Sequence, residues 1–416
     1  LLTEEEVDAI LHAKEKSWCL DGDTKVGTGL RLRVDTNQVS SNDPIEDYLA
    51  WDIVQPRGAV PKDGIGAQAP SRFMFGVFDG HAGYMCAEQI AARIGPMLNE
   101  SLELVRRSTT PQGANNGTPL AGTVKQLAKE AGLDWDHTSL ALTATFINMD
   151  YELVHGALAD FRKSQNLMRM DQLLGPAVSG SCGLVAVVDA KAEEVVVGNT
   201  GDSRALLGVR LDNGTWKAVR LSEDQTASNK NELARMNREH PGETAVIRKG
   251  RVLGGLMPTR AFGDCRYKWS LETQQDLFPV LYARGHRYAT TPPNYSTPPY
   301  VTARPVIVKH QLSENDKFIV MASDGLYDQL SDAEVIDTVA QWYEAHNKGK
   351  GSEKTSSTLT TEDDNAATHL IRTALSTDRL GRRSDDIIRR LLAIPPPHSR
   401  RFRDDISVTV ITLDRD

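Results

Sequence analysis

Cysteine is scarce in this 416-residue chain: Cys19, Cys86, Cys182 and Cys265 stand far apart, with no C-x-x-C pair. That spacing argues against a disulfide scaffold and against paired structural thiolates, and it fits a reducing or redox-neutral compartment. Long apolar runs are missing too. No stretch reaches the roughly 18 residues that a membrane-spanning helix needs. No basic block dominates, since 48 Lys and Arg stand against 56 Asp and Glu for a net charge of -8, and this argues against a general nucleic-acid or membrane-surface binder. A phosphate-binding P-loop is absent, because KGKGSEKTSS lacks the required spacing of glycines, Lys and Ser/Thr. A cysteine-phosphatase loop is absent as well. Arg93 lies one residue too far from Cys86, which falls in a helical pattern and reads as core.

The chain has length and apolar content enough for a sizeable core, with 40% hydrophobic residues. Thr3 with Glu6, followed by Val7, Ile10 and Leu11, predicts a capped helix close to the first residue. The start without Met and without a charged-then-apolar leader fits removal of an upstream segment. Three polar stretches, 54–71, 107–120 and 347–364, read as surface insertions, the last with disorder as its default. Because apolar strands recur on both sides of each insertion, one domain over 1–416 is expected. SCGLVAVVDA and EEVVVGN flank a short turn, and RALLGVRL and WKAVRL flank Asp212-Asn213-Gly214, a strong hairpin signal. Sequential strands joined so tightly are antiparallel. Further strands are predicted over 318–325 and 406–413, and helices over 87–102, 229–240, 333–345 and 366–375. Strands in the middle with helices around them define an α+β layered fold, a sheet sandwich covered by helices.

The run FMFGVFDGHAGY, from Phe73 to Tyr84, is apolar as far as Phe78 and then places Asp79, Gly80 and His81 at its end. Such a run suits a strand buried on both faces. Three other strands also carry Asp at a terminus: FIVMASDG ends in Asp324 with Asp328 just beyond, Asp404-Asp405 precedes ISVTVITL, and Asp202 sits between EVVVGN and RALL. Glu46-Asp47 adds a pair near the start. Each alone reads as a turn or cap, but their recurrence points to convergence. Converging carboxylates repel unless a cation sits among them. With His and Cys nearly absent from the set, oxygen ligands select Mg²⁺ or Mn²⁺. Two such ions bridged by one Asp polarise a phosphoryl oxygen and ionise a shared water, which is phosphate-ester hydrolysis. His81 then protonates the departing serine oxygen, or alternatively serves as a structural histidine.

The ordered segments PIED, FGVFDGHAG, SGSCG, NTGDSRALLG, LMPTRAFGD, MASDGLYD and RDDISV resemble the metal-dependent type 2C protein serine/threonine phosphatases over about 40–413. Within that family, LTEEEVDAILHAKEKS, GLMPTRAFGDCRYKWS, PPNYSTPPYVTARP and NAATHLIRTAL are similar to the pyruvate dehydrogenase phosphatase subgroup. The resemblance implies a central sandwich of two antiparallel sheets in a four-layer αββα arrangement. It implies Asp79 bridging two metals, with the Gly80 carbonyl on one of them. It further implies Asp324 and Asp404 on the other ion, Glu46 and Asp47 acting mostly through water, Asp202 and Asp328 on a weaker third ion, and His81 as general acid. The implied substrate is a phosphoprotein, the pyruvate dehydrogenase complex, with its acetyltransferase core or a regulatory subunit as further partner. The implied location is the mitochondrial matrix, the transit peptide being absent from this chain.

Many relatives place an Arg four residues before the first Glu to grip phosphate, and here that position is Asn42. Phosphate capture then falls to the metals or to a base such as Arg260, which reads equally as an ion-pair partner of Asp264. Two alternatives remain: a phosphatase-like scaffold without activity, which the presence of Asp79, Asp324 and Asp404 disfavours, and a type 2C phosphatase with another phosphoprotein substrate.

Overall fold

The computed structural model describes residues 1–21, 30–54, 70–108, 118–131, 136–347, 363–378 and 380–415. Most of the three predicted insertions, at 55–69, 109–117 and 348–362, lies outside the described residues. The capped first helix is present as Glu4–His12, with Thr3 and Glu6 bonded reciprocally.

Eleven strands build the centre. They are β1 (Lys16–Asp21), β2 (Arg31–Val39), β3 (Tyr48–Ile53), β4 (Arg72–Phe78), β5 (Gly183–Asp189), β6 (Glu194–Thr200), β7 (Arg204–Arg210), β8 (Trp216–Arg220), β9 (Val306–Gln311), β10 (Asp316–Ala322) and β11 (Ile406–Asp414). One sheet runs β1-β2-β11-β10-β7-β8 and the other β9-β6-β5-β4-β3, with every neighbouring pair antiparallel. The predicted hairpins are β5–β6 and β7–β8.

Strand alternation explains the layering. In β4, Phe73, Phe75 and Val77 point between the sheets, where they meet Leu184, Val197, Ile319 and Ile411. Met74 and Phe78 point the other way, onto the helices Met85–Ser108 and His137–Tyr151. The opposite sheet sends Val320, Val408 and Val410 against the helices Asp332–Asn347 and Ala366–Ser376. The unbroken apolar runs are therefore strands covered on both faces, and the order of layers is helices, sheet, sheet, helices. The strand ends that carry acidic residues gather at one edge of this sandwich.

Candidate metal centre and acid–base pair

Asp79 leaves the end of β4, and its backbone carbonyl accepts a hydrogen bond from the Cys182 amide at 2.8 Å. Asp202 follows β6, Asp324 follows β10 and Asp404 precedes β11. The Asp79, Cys182 and Asp202 ligand atoms lie within 4.8 Å of one another. Asp79, Asp202, Asp324, Asp328 and Asp404 line one cleft of about 570 Å³ together with Gly80 and His81.

Two glycines make this convergence possible, and neither Asp-Gly pair is a simple turn. A Cβ on Gly80 would overlap the Glu46 carbonyl, and one on Gly325 would overlap the Asp405 carbonyl and press on Asp404. The missing side chains thus let the Glu46-Asp47 segment close on Asp79 and the Asp324 turn close on Asp404. Asp405 does not face the cleft. Its carboxylate accepts from the Ser41, Asn42 and Glu46 amides and from Asn42 Nδ2 at 2.9 Å, and so pins the 41–46 loop.

The electrostatics are one-sided. Burial, reinforced by the carboxylates of Asp324, Asp47, Asp202 and Asp404, pushes Asp79 well above the usual carboxylate range. Asp324 is pushed up for the same reasons, and buried Asp47 rises to about 8. Burial raises Asp202, Asp404, Asp328 and Glu46 as well. Among the described residues no Lys or Arg pairs with Asp79, Asp202 or Asp324, and Asp47 Oδ2 is buried with no hydrogen-bond partner. An orphaned oxygen inside a knot of like charges fits hard divalent cations, which supply the missing positive charge. The Cys182 thiol stands beside these carboxylate oxygens. Burial pushes that thiol well up, so it stays protonated and donates to Asp202 Oδ1 at 3.1 Å instead of binding metal as thiolate.

His81 Nε2 meets Asp264 Oδ2 at 2.7 Å. Burial alone would lower the imidazole, but the adjacent Asp264 carboxylate outweighs it and raises His81 above its ordinary value. Sequence reasoning missed this partner, which lies 183 residues away. Asp264 sits in the left-handed region at φ 51°, a conformation that costs a non-glycine residue about 1 kcal/mol. Its own amide donates to the Ser179 carbonyl at 2.9 Å, and a clamp fixes its chain neighbours: Lys268 Nζ binds both Asp150 oxygens at 2.7 and 2.8 Å, and Asp150 accepts from the Gly263 amide. Gly180 lies beneath the pair, where any Cβ would overlap both His81 and Asp264.

Two expected phosphate-gripping residues lie elsewhere. Asn42 is bonded to Asp405. Arg260 pairs with Glu232 and not with Asp264, its Nη2 lying 2.7 Å from Oε1, and it lines a separate groove with Arg235 and Tyr300. Asp264 is engaged by His81, which leaves it unavailable to Arg260.

Residues 59–379 match the family of protein phosphatase 2C, and the chain belongs to that family. It is a protein serine/threonine phosphatase. A protein phosphatase 2C homolog of Schizosaccharomyces pombe is 36% identical over 399 residues, spanning 92% of this chain and 80% of that protein. The mitochondrial pyruvate dehydrogenase (acetyl-transferring) phosphatase 1 of Saccharomyces cerevisiae is 34% identical, spanning 99% of this chain and 73% of that protein. Its human counterpart is 30% identical, spanning 99% and 83%. The crystal structure of a serine-threonine phosphatase 2C from Toxoplasma gondii has the same fold, with a TM-score of 0.50 at 18% identity over 96% of this chain and 99% of that one. The family is metal-dependent, in keeping with the acidic cluster.

Proposed function

We propose that the chain hydrolyses phosphoserine with two Mg²⁺ or Mn²⁺ ions and a weaker third, and that its substrate is the phosphorylated pyruvate dehydrogenase component in the mitochondrial matrix. The observation that carries the chemistry is the convergence of Asp47, Asp79, Asp202, Asp324 and Asp404, of which only Asp404 has a Lys or Arg ion-pair partner among the described residues. Asp79 would bridge the ions with the Gly80 carbonyl beside it, Asp324 and Asp404 would hold the second, Glu46 and Asp47 would act through water, and Asp202 and Asp328 would take the third. When bound, such ions supply Lewis acidity toward the phosphoryl group and lower the pKa of water.

The remaining work falls to the chain. Asp264 occupies Nε2 of His81 and favours the protonated ring, in which Nδ1 would carry the proton handed to the serine oxygen as it leaves. Ser179 holds the Asp264 backbone at that station, and Asp150 and Lys268 fix the segment around it. The substrate assignment rests on the similarity to the yeast and human mitochondrial phosphatases, and docking to the acetyltransferase core or a regulatory subunit is a further part of the proposal. One catalytic domain over 1–416 is part of the same proposal, supported by a sheet that joins β1 and β2 to β11.

The test is phosphate release from phosphorylated pyruvate dehydrogenase and from unrelated phosphoproteins, with and without Mn²⁺ or Mg²⁺. Metal-dependent release with a marked preference for the first is expected. Equal rates on all substrates would remove the substrate assignment, and full activity after exhaustive chelation would remove the metal mechanism.

A further inference from the structure

Phosphate recognition is left without an owner once Asn42 and Arg260 are engaged elsewhere. Three guanidinium groups line the acidic cleft: Arg251, Arg266 and Arg400. Arg251 donates to the Gly255 carbonyl at 3.2 Å, and Arg266 lies over the Tyr267 ring at 5.7 Å. Neither forms an ion pair with the acidic cluster among the described residues. Arg400 differs, with Nη2 standing 2.7 Å from Asp404 Oδ2 and a side chain 51% exposed. It projects from the short 3₁₀ turn His398–Arg401, just before the Asp404-Asp405 corner that Ser399 and Arg403 tie to the carbonyls of Ser41 and Ser40.

We infer that Arg400 is the residue that grips the substrate phosphate, in place of the arginine that relatives carry at the Asn42 position. A guanidinium offers five N–H donors in a planar fork. Asp404 is its only ion-pair partner at contact distance among the described residues, with Asp328 and Glu46 feeling its charge from farther off, so further donors stay available to a phosphoryl oxygen in the cleft. The Asp404 contact does two things: it anchors the guanidinium beside the metal ligands, and it leaves the group half exposed where a phosphoserine side chain enters. A bidentate Arg–phosphate contact is charge-assisted and directional, and it would fix the ester oxygen toward His81. Arg400 touches substrate in this scheme, whereas Asp264 positions His81 without touching it.

The inference rests on the proposed phosphatase reading, and the experiment keeps the two separable. Inorganic phosphate is titrated calorimetrically into the full chain loaded with Mn²⁺, for the wild type, Arg400→Ala, Arg400→Lys and Arg251→Ala. Mn²⁺ affinity is measured separately by spin resonance of the free ion, and folding by circular dichroism. Loss of a charged hydrogen-bond donor predicts phosphate binding about ten- to hundredfold weaker in Arg400→Ala. Arg400→Lys recovers part of it, as a point charge without the fork, and Arg251→Ala stays close to wild type. Mn²⁺ binding in Arg400→Ala is expected to be unchanged or tighter, because a competing cation has left Asp404. With a phosphoserine peptide, KM rises by a similar factor while kcat moves less. Wild-type phosphate affinity in folded Arg400→Ala would overturn the inference and make Arg400 a mere counter-ion of Asp404, as would the absence of phosphate binding by the wild type. A wild type that binds phosphate through Arg400 but releases none from phosphoserine would overturn the phosphatase chemistry instead.

Discussion

Two groups of buried carboxylates in this molecule have opposite electrostatics. Around Glu232 every charge is answered: Arg260 and Arg235 both grip it, and Thr259 Oγ1 donates to Oε2 at 2.7 Å. Burial alone would raise that carboxyl, but the two arginines outweigh it and hold Glu232 at about 2. In the cleft, burial acts on Asp47, Asp79 and Asp324 with no such answer, and all three move up. The first arrangement is complete as folded. The second is complete only when something positive arrives from solution, which is the physical difference between a structural ion-pair network and a metal centre.

Metal removal tests this difference most directly. Chelation is expected to abolish turnover, and Mg²⁺ or Mn²⁺ to restore it. Asp79→Asn and Asp324→Asn should each lower kcat by at least about a hundredfold, since an amide supplies no charge. In chelator the same variants should melt at a higher temperature than wild type at pH 8, because each removes a repelling charge. The sign follows from linkage: a carboxyl raised in the fold binds protons more tightly folded than unfolded, so the metal-free wild type loses stability as pH climbs from about 4 to 8. The gap should close toward pH 4. An Asp79→Asn variant with near-normal turnover would mean that the metals sit elsewhere.

Smaller effects sharpen the picture. His81→Gln should slow a phosphoserine peptide by about a hundredfold but an aryl phosphate much less, because phenolate departs without a proton. Equal losses with metal binding intact would make His81 structural. Asp202→Asn and Asp328→Asn should weaken metal affinity and cost less turnover than Asp79→Asn, as metal titrations of activity will read. The smallest effect on catalysis is expected from Glu232→Gln, which strands Arg260 and leaves Arg235 with Glu239 alone as ion-pair partner, and should cost about 3 kcal/mol of stability at pH 7 with kcat nearly unchanged. Glu232 has its pKa depressed in the fold, so its contribution is present above about pH 4.3 and fades as pH falls through about 2. Denaturant unfolding of wild type and variant at pH 7 and pH 3 will show whether their difference shrinks.

Much of this was legible in sequence because it is local. An apolar run ending in Asp marks a buried strand surfacing, and Asp-Asn-Gly marks a hairpin. Both read directly as β4, β10, β11 and the β7–β8 turn. What stayed hidden depends on contacts between distant segments. Arg260 and Asp264 are neighbours in the chain, so pairing them was the natural reading, yet the fold sends one to Glu232 and the other to His81. Asp405 looked like a twin of Asp404, but opposite pointing directions make it a loop clamp. Cys182 gave no sign of its place beside Asp202, since its neighbourhood is set by a backbone bond to Asp79 across about a hundred residues. The Asp-Gly pairs were readable as turn chemistry, whereas their actual demand for a close backbone approach becomes visible only when Glu46 and Asp405 are in place.

The Asp404-Asp405 corner also bears on when the enzyme can act during its own synthesis. One residue of the pair belongs to the proposed metal ligands and the other pins the loop that carries Glu46. Both emerge from the ribosome after nearly everything they organise, together with the strand that zips β2 to β10. A nascent chain halted before residue 404 can hold every other cleft carboxylate and still lack the closing corner, so the cleft is assembled only once a segment far downstream of Asp79 has been made.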